Sequence, residues 1–280
     1  MSHMIQDIAV LFDDSPHGLT TLETAARLAS KQKAKLIGIT TTDKGEATLE
    51  DGFARGKGIA DVIHKLKVST EEHLRRRAEK LTSTASRHGI SSEFRTIPYF
   101  DDGKVDLNSL YSDLVVVGAS ETPGAPFGWS YIKALQRTGI PLVIVPQSWG
   151  DRPIGRKITV AWNASRQARR AVADAFPLLL SADTVDLLIV DPEHNAEMHG
   201  KYPGADMATY LAHHGVEVKL RRTFSQGKSI AEVIVANAVV LDSDLIVFGA
   251  YSRSQISEAV LGGVSRTLLA EVPLPLFVSC

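Results

Sequence analysis

Short motifs of the first half of the chain recur in the same order in the second half, and this repeat constrains the fold more than any other feature. The segment Ile8–Ser15 reads IAVLFDDS, and Ile158–Ser165 reads ITVAWNAS. The segment Leu114–Ser120 reads LVVVGAS, and Leu245–Tyr251 reads LIVFGAY. Because the order of the motifs is preserved along the chain, we interpret it as a tandem duplication of one folding unit.

The two copies meet in a polar segment rich in turn-forming residues. This segment, Pro146–Pro153, reads PQSWGDRP. We therefore predict one domain over residues 1–150 and a second over residues 151–280. Each half has the size of an ordinary globular domain.

Each half alternates short apolar segments with longer segments of helical periodicity, a pattern typical of βαβ units around a parallel sheet. In the second half we predict strands at 157–162, 184–190, 216–223, 244–249 and 275–279. The helices predicted between them are Ser165–Leu180, Gly204–His214, Ser229–Leu241 and Gly263–Glu271. In the first half, the capping-box spacing of Ser69–Glu72 predicts the start of a helix that ends at Gly89. An insertion-like segment, Asp43–Lys67, precedes that helix.

Charge and apolar patterning argue against several classes of partner. The chain has 31 Lys and Arg against 32 Asp and Glu, so its charge gives no reason to expect a nucleic-acid or membrane partner. No apolar run approaches the roughly 18–20 residues of a membrane span. The one cysteine, Cys280, cannot form a disulfide within the chain, which suits a reducing compartment. We therefore expect a cytoplasmic protein.

One segment has the layout of a phosphate-binding loop. It begins at Gly249 after a predicted strand and reaches the pair Gly262 and Gly263 before a predicted helix. Proteins with α/β folds present backbone N–H groups to phosphate in this way. In the first half, Gly118 has no correctly spaced glycine partners, and the carboxylate of Glu121 would repel a triphosphate. We expect only the second half to bind a nucleotide.

With these motifs, nearly the whole chain resembles the tandem universal stress proteins. The phosphate loop of that family reads glycine, two residues, glycine, nine residues, glycine, then serine or threonine. Gly249, Ser252 and Gly262 have that spacing, with serine in place of the second glycine. Gly263 replaces the usual hydroxyl residue, and Ser265 lies two positions further on as a substitute donor.

The resemblance implies a particular fold. It implies two Rossmann-like, flavodoxin-like domains, each with a five-stranded parallel sheet of order 3-2-1-4-5 flanked by helices. In the family, fifth strands pair with each other, so a tandem chain forms a pseudo-dimer within itself. Here Val143–Val145 and Leu276–Val278 would be the paired strands. The association of two chains into a homodimer is left open.

The resemblance also implies a ligand, namely ATP, with or without Mg. It would lie in the second domain at the carboxyl ends of that domain's first and fourth strands. Asn163 stands where the family usually has aspartate, whereas Asp13 keeps the aspartate in the first half. The residues expected to line the nucleotide are Ala161, Asn163, Val190, Gly249, Ser252, Gly262, Gly263, Val264 and Ser265.

Several of these residues also have structural interpretations. Asn163 and the segment Asp13–Ser15 can simply cap helices, and Gly262 with Gly263 can simply form a turn. The run Arg75–Arg77 is interpreted as a solvated helix face, and the adjacent His213 and His214 give no metal-ligand pattern.

No catalytic motif is present in the sequence, so we assign no catalytic residue and expect at most slow ATP hydrolysis. The leading hypothesis is a stress-response binding or regulatory module that acts through an unknown protein partner. One alternative is a scaffold that binds no nucleotide. Another is a receptor for a different small ligand, with Asp43–Lys67 as a lid.

Overall fold

The computed structural model describes residues 4–41, 57–97, 109–119, 135, 137–195, 200–250 and 263–280. The strands are β1 (Asp7–Leu11), β2 (Lys35–Thr41), β3 (Ser92–Ile97), β4 (Leu114–Gly118), β5 (Leu142–Val145), β6 (Lys157–Ala161), β7 (Thr184–Val190), β8 (Val218–Thr223), β9 (Leu245–Gly249) and β10 (Leu276–Ser279). The helices are α1 (Pro16–Gln32), α2 (Lys57–Arg87), α3 (Arg166–Asp174), α4 (Phe176–Leu180), α5 (Ala205–His213), α6 (Ile230–Val240) and α7 (Gly263–Glu271), with short 3-10 turns at Gln147–Trp149 and Pro192–Asn195.

All ten strands form one sheet in the order β3-β2-β1-β4-β5-β10-β9-β6-β7-β8. Each half has the order 3-2-1-4-5 with parallel neighbours, and the halves join where β5 and β10 pair antiparallel, Phe277 opposite Val143. The predicted fold class and the pairing of the fifth strands are therefore confirmed. The domain boundary near residue 150 stays a prediction.

Burial explains why the central strands read as continuous apolar runs. Every residue of β5 and β10 is buried, as expected for central strands that are covered on both faces of the sheet. The edge strand β8 instead alternates between half-buried and exposed residues, and its exposed positions include Lys219 and Arg221. Charged side chains on an edge strand oppose pairing with another chain.

No helix among the described residues is both long and apolar enough to cross a membrane.

A carboxylate holds the amino ends of the central strands in each half, buried at Asp244 and exposed at Asp113. The Asp244 carboxylate, just before β9, accepts hydrogen bonds from the N–H groups of residues 155–157 at 2.8–3.1 Å. Asp113, just before β4, does the same for the N–H groups of Gln6 and Asp7 at 2.7 and 3.0 Å. Burial raises the pKa of Asp244, while the backbone hydrogen bonds oppose that shift. This repeated clamp fixes β6 against β9, and β1 against β4.

Two helix predictions are wrong in detail. The helix expected to start at Ser69 starts at Lys57, because apolar residues at helical spacing (Ile59, Val62, Ile63, Leu66) continue upstream of the apparent capping box. The helix expected over 165–180 is interrupted at Ala175, since Pro177 lacks the N–H that a continuous helix would need. The capping box of Ser229 and Glu232 is confirmed. Residues 43–56, the larger part of the lid hypothesis, lie outside the described residues.

Candidate functional site

A crevice opens between β6 and β9 at their carboxyl ends. The last pair between these strands is Val160 with Val247. Beyond it, the N–H of Trp162 donates to β7 at 2.8 Å, and the N–H of Ala250 donates to β10 at 2.8 Å. The two strands therefore turn towards opposite neighbours, which creates the switch point at which parallel α/β sheets commonly bind ligands.

Asn163 lies on the loop that leaves β6 beside this crevice, and its side chain is exposed. Its Oδ1 accepts a hydrogen bond from the N–H of Ser165 at 3.2 Å. The Ser165 hydroxyl in turn accepts from the N–H of Ala168 at 3.1 Å and caps α3. Ala164, between them, has a left-handed φ of 57°. Asn163 therefore supports the helix cap, while its Nδ2 donates to none of the residues that the structure describes.

Gly249 ends β9 where the first turn of α3 crosses it. A Cβ at this position would lie 2.2 Å from the carbonyl carbon of Gln167 and 2.4 Å from the nitrogen of Ala168. Backbone atoms cannot yield as a flexible side chain can, so only glycine fits. This packing brings the α3 cap, and with it Asn163, next to the end of β9. Gly249 is thus required by the fold whether or not a phosphate binds there.

The remaining described site residues lie around the same edge of the sheet. Ala161 and Val190 are half-buried at the carboxyl ends of β6 and β7. Gly263 is exposed as the first residue of α7, and a Cβ there would meet nothing within 4 Å. Val264 follows it and is half-buried. The Ser252 and Gly262 positions lie outside the described residues.

Ser265 differs from its neighbours in α7 because it is only 7% exposed. It shares the buried face of the helix with Leu268 and Leu269. This burial weighs against Ser265 as the substitute phosphate donor, so Gly263 leaves the first turn of α7 without an exposed hydroxyl at the family position.

The first half has an equivalent helix cap at the start of α1, but a different side chain lies against its equivalent glycine, Gly118. The Asp13 Oδ1 accepts from the N–H of Ser15 at 3.0 Å, and the Ser15 hydroxyl caps α1 by accepting from Gly18 at 2.9 Å. Gly118 is again a close approach, with the His17 ring 2.5 Å from where its Cβ would lie. The interpretation of Asp13–Ser15 as a helix cap is therefore confirmed for Asp13 and Ser15.

Arg77 corrects the interpretation of Arg75–Arg77 as a solvated face. The Arg75 side chain is 71% exposed, but Arg77 is buried at 7%. Arg77 Nε donates to the Asp14 carboxylate, and its Nη1 donates to the carbonyl of Thr41, both at 2.9 Å. The Asp14 carboxylate compensates the buried charge. The only sequence signal was Asp14 itself, because the second half has Ala164 at that position.

Arg77 also changes what the first crevice can bind. Thr41 ends β2 as Val190 ends β7, the position expected to offer backbone groups to an adenine ring. In the first half, the Arg77 guanidinium already donates a hydrogen bond to the Thr41 carbonyl. The two halves therefore share a fold but present different groups at equivalent positions.

A comparison with known protein families matches the second half of the chain. The model described as the Universal stress protein family matches residues 155–279. The second half of the chain is a universal stress protein domain. The first half repeats its strand order, so the chain has two tandem domains of the universal stress protein fold. None of the curated proteins compared with the chain matches it.

Solved structures agree with this tandem arrangement. A universal stress protein from Archaeoglobus fulgidus DSM 4304 matches with a TM-score of 0.69 at 16% identity, over 98% of this chain and 97% of that one. A functionally unknown protein from Pseudomonas aeruginosa PAO1 matches with a TM-score of 0.61 at 16% identity, over 98% and 92%. At this identity the likeness shows the fold of the universal stress protein domains and not their ligand.

We also searched the described part of these domains for side chains that could bind a metal ion. No group of three His, Cys, Asp or Glu side chains within that part is arranged to hold a metal ion. His213 and His214 instead form an aromatic cluster in which the His214 ring lies 4.6 Å from the Tyr210 ring.

Proposed function

We propose that the chain is a stress-response binding and regulatory module that holds ATP, with or without Mg, in its second domain. The carrying observation is the crevice that opens beyond Val160 and Val247, in the half that matches the universal stress protein family. Binding would change the affinity for a protein partner in the cytoplasm. The module has no assigned catalytic residue, and at most slow hydrolysis of ATP accompanies binding.

Each site residue has a role in this proposal. The Nδ2 of Asn163 donates to a ribose oxygen, while its Oδ1 stays in the helix cap. Backbone groups of Val190 meet the adenine edge, and Ala161 lies beneath the ring. The N–H groups at the start of α7, from Gly263 to Ser265, favour the phosphates because a helix amino end carries partial positive charge. Gly249, Ser252 and Gly262 complete the loop.

Only one nucleotide is expected for each chain. In the first domain, Arg77 occupies the Thr41 carbonyl that would otherwise be offered to adenine. Glu121 adds negative charge to the sequence after Gly118, which disfavours a triphosphate.

The test is mass spectrometry of nucleotide released from the purified, denatured chain, combined with titration of ATP. Asn163→Ala and Asp13→Ala form a matched pair, since each removes the acceptor for the N–H of a capping serine. We expect both variants to lose stability, Asp13→Ala the more because Asp13 also accepts from the Ser15 hydroxyl, but only Asn163→Ala to lose affinity for ATP. Gly262→Trp should abolish binding altogether. ATP binding that is unchanged in Asn163→Ala and Gly262→Trp would refute the proposed site.

The second candidate is a scaffold that binds no nucleotide. Packing against α3 fully explains why residue 249 is glycine. The helix cap explains the Oδ1 of Asn163 but not its Nδ2. Under this alternative, no nucleotide is released on denaturation, millimolar ATP leaves the melting temperature unchanged, and Gly262→Trp leaves partner binding intact.

A further inference from the structure

A cleft lies between the domains at the edge of the sheet opposite the nucleotide crevice. Its volume is about 200 Å³. One wall comes from α1, through Arg27, Leu28 and Lys31, and the other from Arg152–Arg156, with Asp183 before β7. Direct contacts already bridge the two walls, including Gln32 Nε2 to the Ser181 hydroxyl at 3.0 Å.

The lining is rich in positive charge that is only partly neutralised. Arg27 pairs with Asp151 at 2.6 Å, and Arg156 pairs with Asp183 at 2.7 Å. Lys31 Nζ instead donates to the carbonyl of Gly155 at 2.7 Å, and Arg152 Nε donates to the carbonyl of Trp149 at 3.0 Å. A carbonyl satisfies a donor without cancelling its charge. Within the described residues, neither Lys31 nor Arg152 lies at salt-bridge distance from a carboxylate.

The side chains of Lys31 and Arg152 are held in place before any ligand arrives. The Arg152 guanidinium lies 3.6 Å from the centre of the Trp149 ring, and the Trp149 Nε1 donates to the Arg152 carbonyl at 3.1 Å. Stacking of this kind fixes the guanidinium plane and leaves its other face available. Partial burial lowers the pKa of Lys31, against the attraction of Asp183 and Asp244. A bound anion would favour the charged ammonium.

We propose that this cleft binds a small phosphate monoester on a short carbon skeleton. The dianion would pair with Lys31 and Arg152, which feel nearby carboxylates but form no salt bridge with a described one. A guanidinium also suits phosphate geometry. The carbon skeleton packs against Leu28, Pro153 and Ile154. Because both domains supply the lining, the ligand ties α1 to the segment before β6. The proposal is independent of the ATP site.

The probe is glycerol 3-phosphate, added to the full chain during thermal unfolding and calorimetric titration, with NaCl at matched ionic strength as the reference. At a ligand concentration far above Kd, we expect the melting temperature to rise by about 2–5 °C beyond the NaCl reference. Lys31→Met and Arg152→Gln should each remove this rise. Arg75→Gln, which removes an exposed arginine outside the cleft, should retain it.

Two further arms distinguish binding in this cleft from binding at the nucleotide loop and from a general effect of anions. Gly262→Trp should retain the glycerol 3-phosphate effect, whereas loss of the effect there would assign the ligand to the nucleotide loop and overturn the proposal. The monoanion acetate should give a smaller shift than the phosphate ester. A shift no larger than that of NaCl, or one that persists in Lys31→Met with its circular dichroism unchanged, would also overturn the proposal.

Discussion

At the residue scale, two glycines of one predicted loop have different reasons for being glycine. Gly249 lies against the backbone of Gln167, which is distant in sequence, so no local pattern could have shown the contact. Gly263 has open space around its Cα and has no positive φ that would require glycine. The spacing of the loop was visible in the sequence, but the reason for each glycine depended on the tertiary packing.

Gly249→Ala should therefore destabilise the chain by about 3 kcal/mol or more, because the new methyl group would overlap the α3 backbone. Gly263→Ala is the matched control and should change the free energy of unfolding by no more than about 1 kcal/mol in either direction. Urea denaturation of both variants measures the difference. Equal stability of the two variants would contradict this role of packing.

Gly263→Ser should strengthen ATP binding by about tenfold or more, as expected for one added hydrogen bond to a charged ligand. The substitution restores the hydroxyl of the family loop, and a Cβ at this position meets no neighbour within 4 Å. Titration calorimetry with ATP measures the change. An unaltered Kd in a stably folded variant would show that the first turn of α7 does not contact the phosphates.

At the element scale, local signals predicted α6 well and α2 poorly. The capping box of Ser229 and Glu232 is real because its two hydrogen bonds are local. The similar spacing at Ser69 is misleading, since the helical period continues on both sides of it. The burial of Arg77 was missed for a different reason. Its burial depends on Asp14 and Thr41, which belong to other elements.

Arg77→Met should destabilise the chain by about 2 kcal/mol, because it removes the hydrogen bonds that join α2 to the carboxyl ends of β1 and β2. The partly exposed Asp14 limits the cost of leaving a carboxylate unpaired. Arg75→Met breaks only the exposed pair with Glu79 and should cost less than about 0.5 kcal/mol. Chemical denaturation compares the two, and a similar loss in both would contradict the anchoring role.

Glu93 should make the β2–β3 edge sensitive to acid. Hydrogen bonds from Arg95 and Lys35 lower the pKa of Glu93 from its ordinary 4.5 to about 2. A lowered pKa in the folded state contributes stability above pH 4.5, and this contribution is lost as the pH falls towards 2. The side chain is 38% exposed, so solvent screening keeps the contribution below about 1 kcal/mol. Glu93→Gln should lose less stability than the wild type between pH 6 and pH 3, and identical pH profiles would contradict this.

At the scale of the whole molecule, the duplication predicted the sheet because the repeat preserves both the motifs and their order. Strand order and the pairing of β5 with β10 followed from the family resemblance and are confirmed. The difference between the two crevices was only partly visible. The sequence showed the lost loop spacing after Gly118, whereas the occupation of the Thr41 carbonyl by Arg77 required the structure.

Because the two crevices differ, we assign different roles to the two domains. The proposed nucleotide crevice belongs to the second domain, while the first contributes five strands to the shared sheet and one wall of the cleft between the domains. Helix α3 links the crevice to the junction between the domains, because its first turn packs on Gly249 and its Asp174 accepts a hydrogen bond from Ser279 at 2.6 Å. Ser279 belongs to β10, the strand that pairs with β5 of the first domain.

The stoichiometry of ATP binding, measured by titration calorimetry on the full chain, is the most decisive test of this asymmetry between the domains. We predict one ATP for each chain, retained in Asp13→Ala and weakened in Asn163→Ala. Two ATP molecules for each chain would show that Arg77 does not close the first crevice. The absence of binding in the presence and absence of Mg would contradict the proposed function.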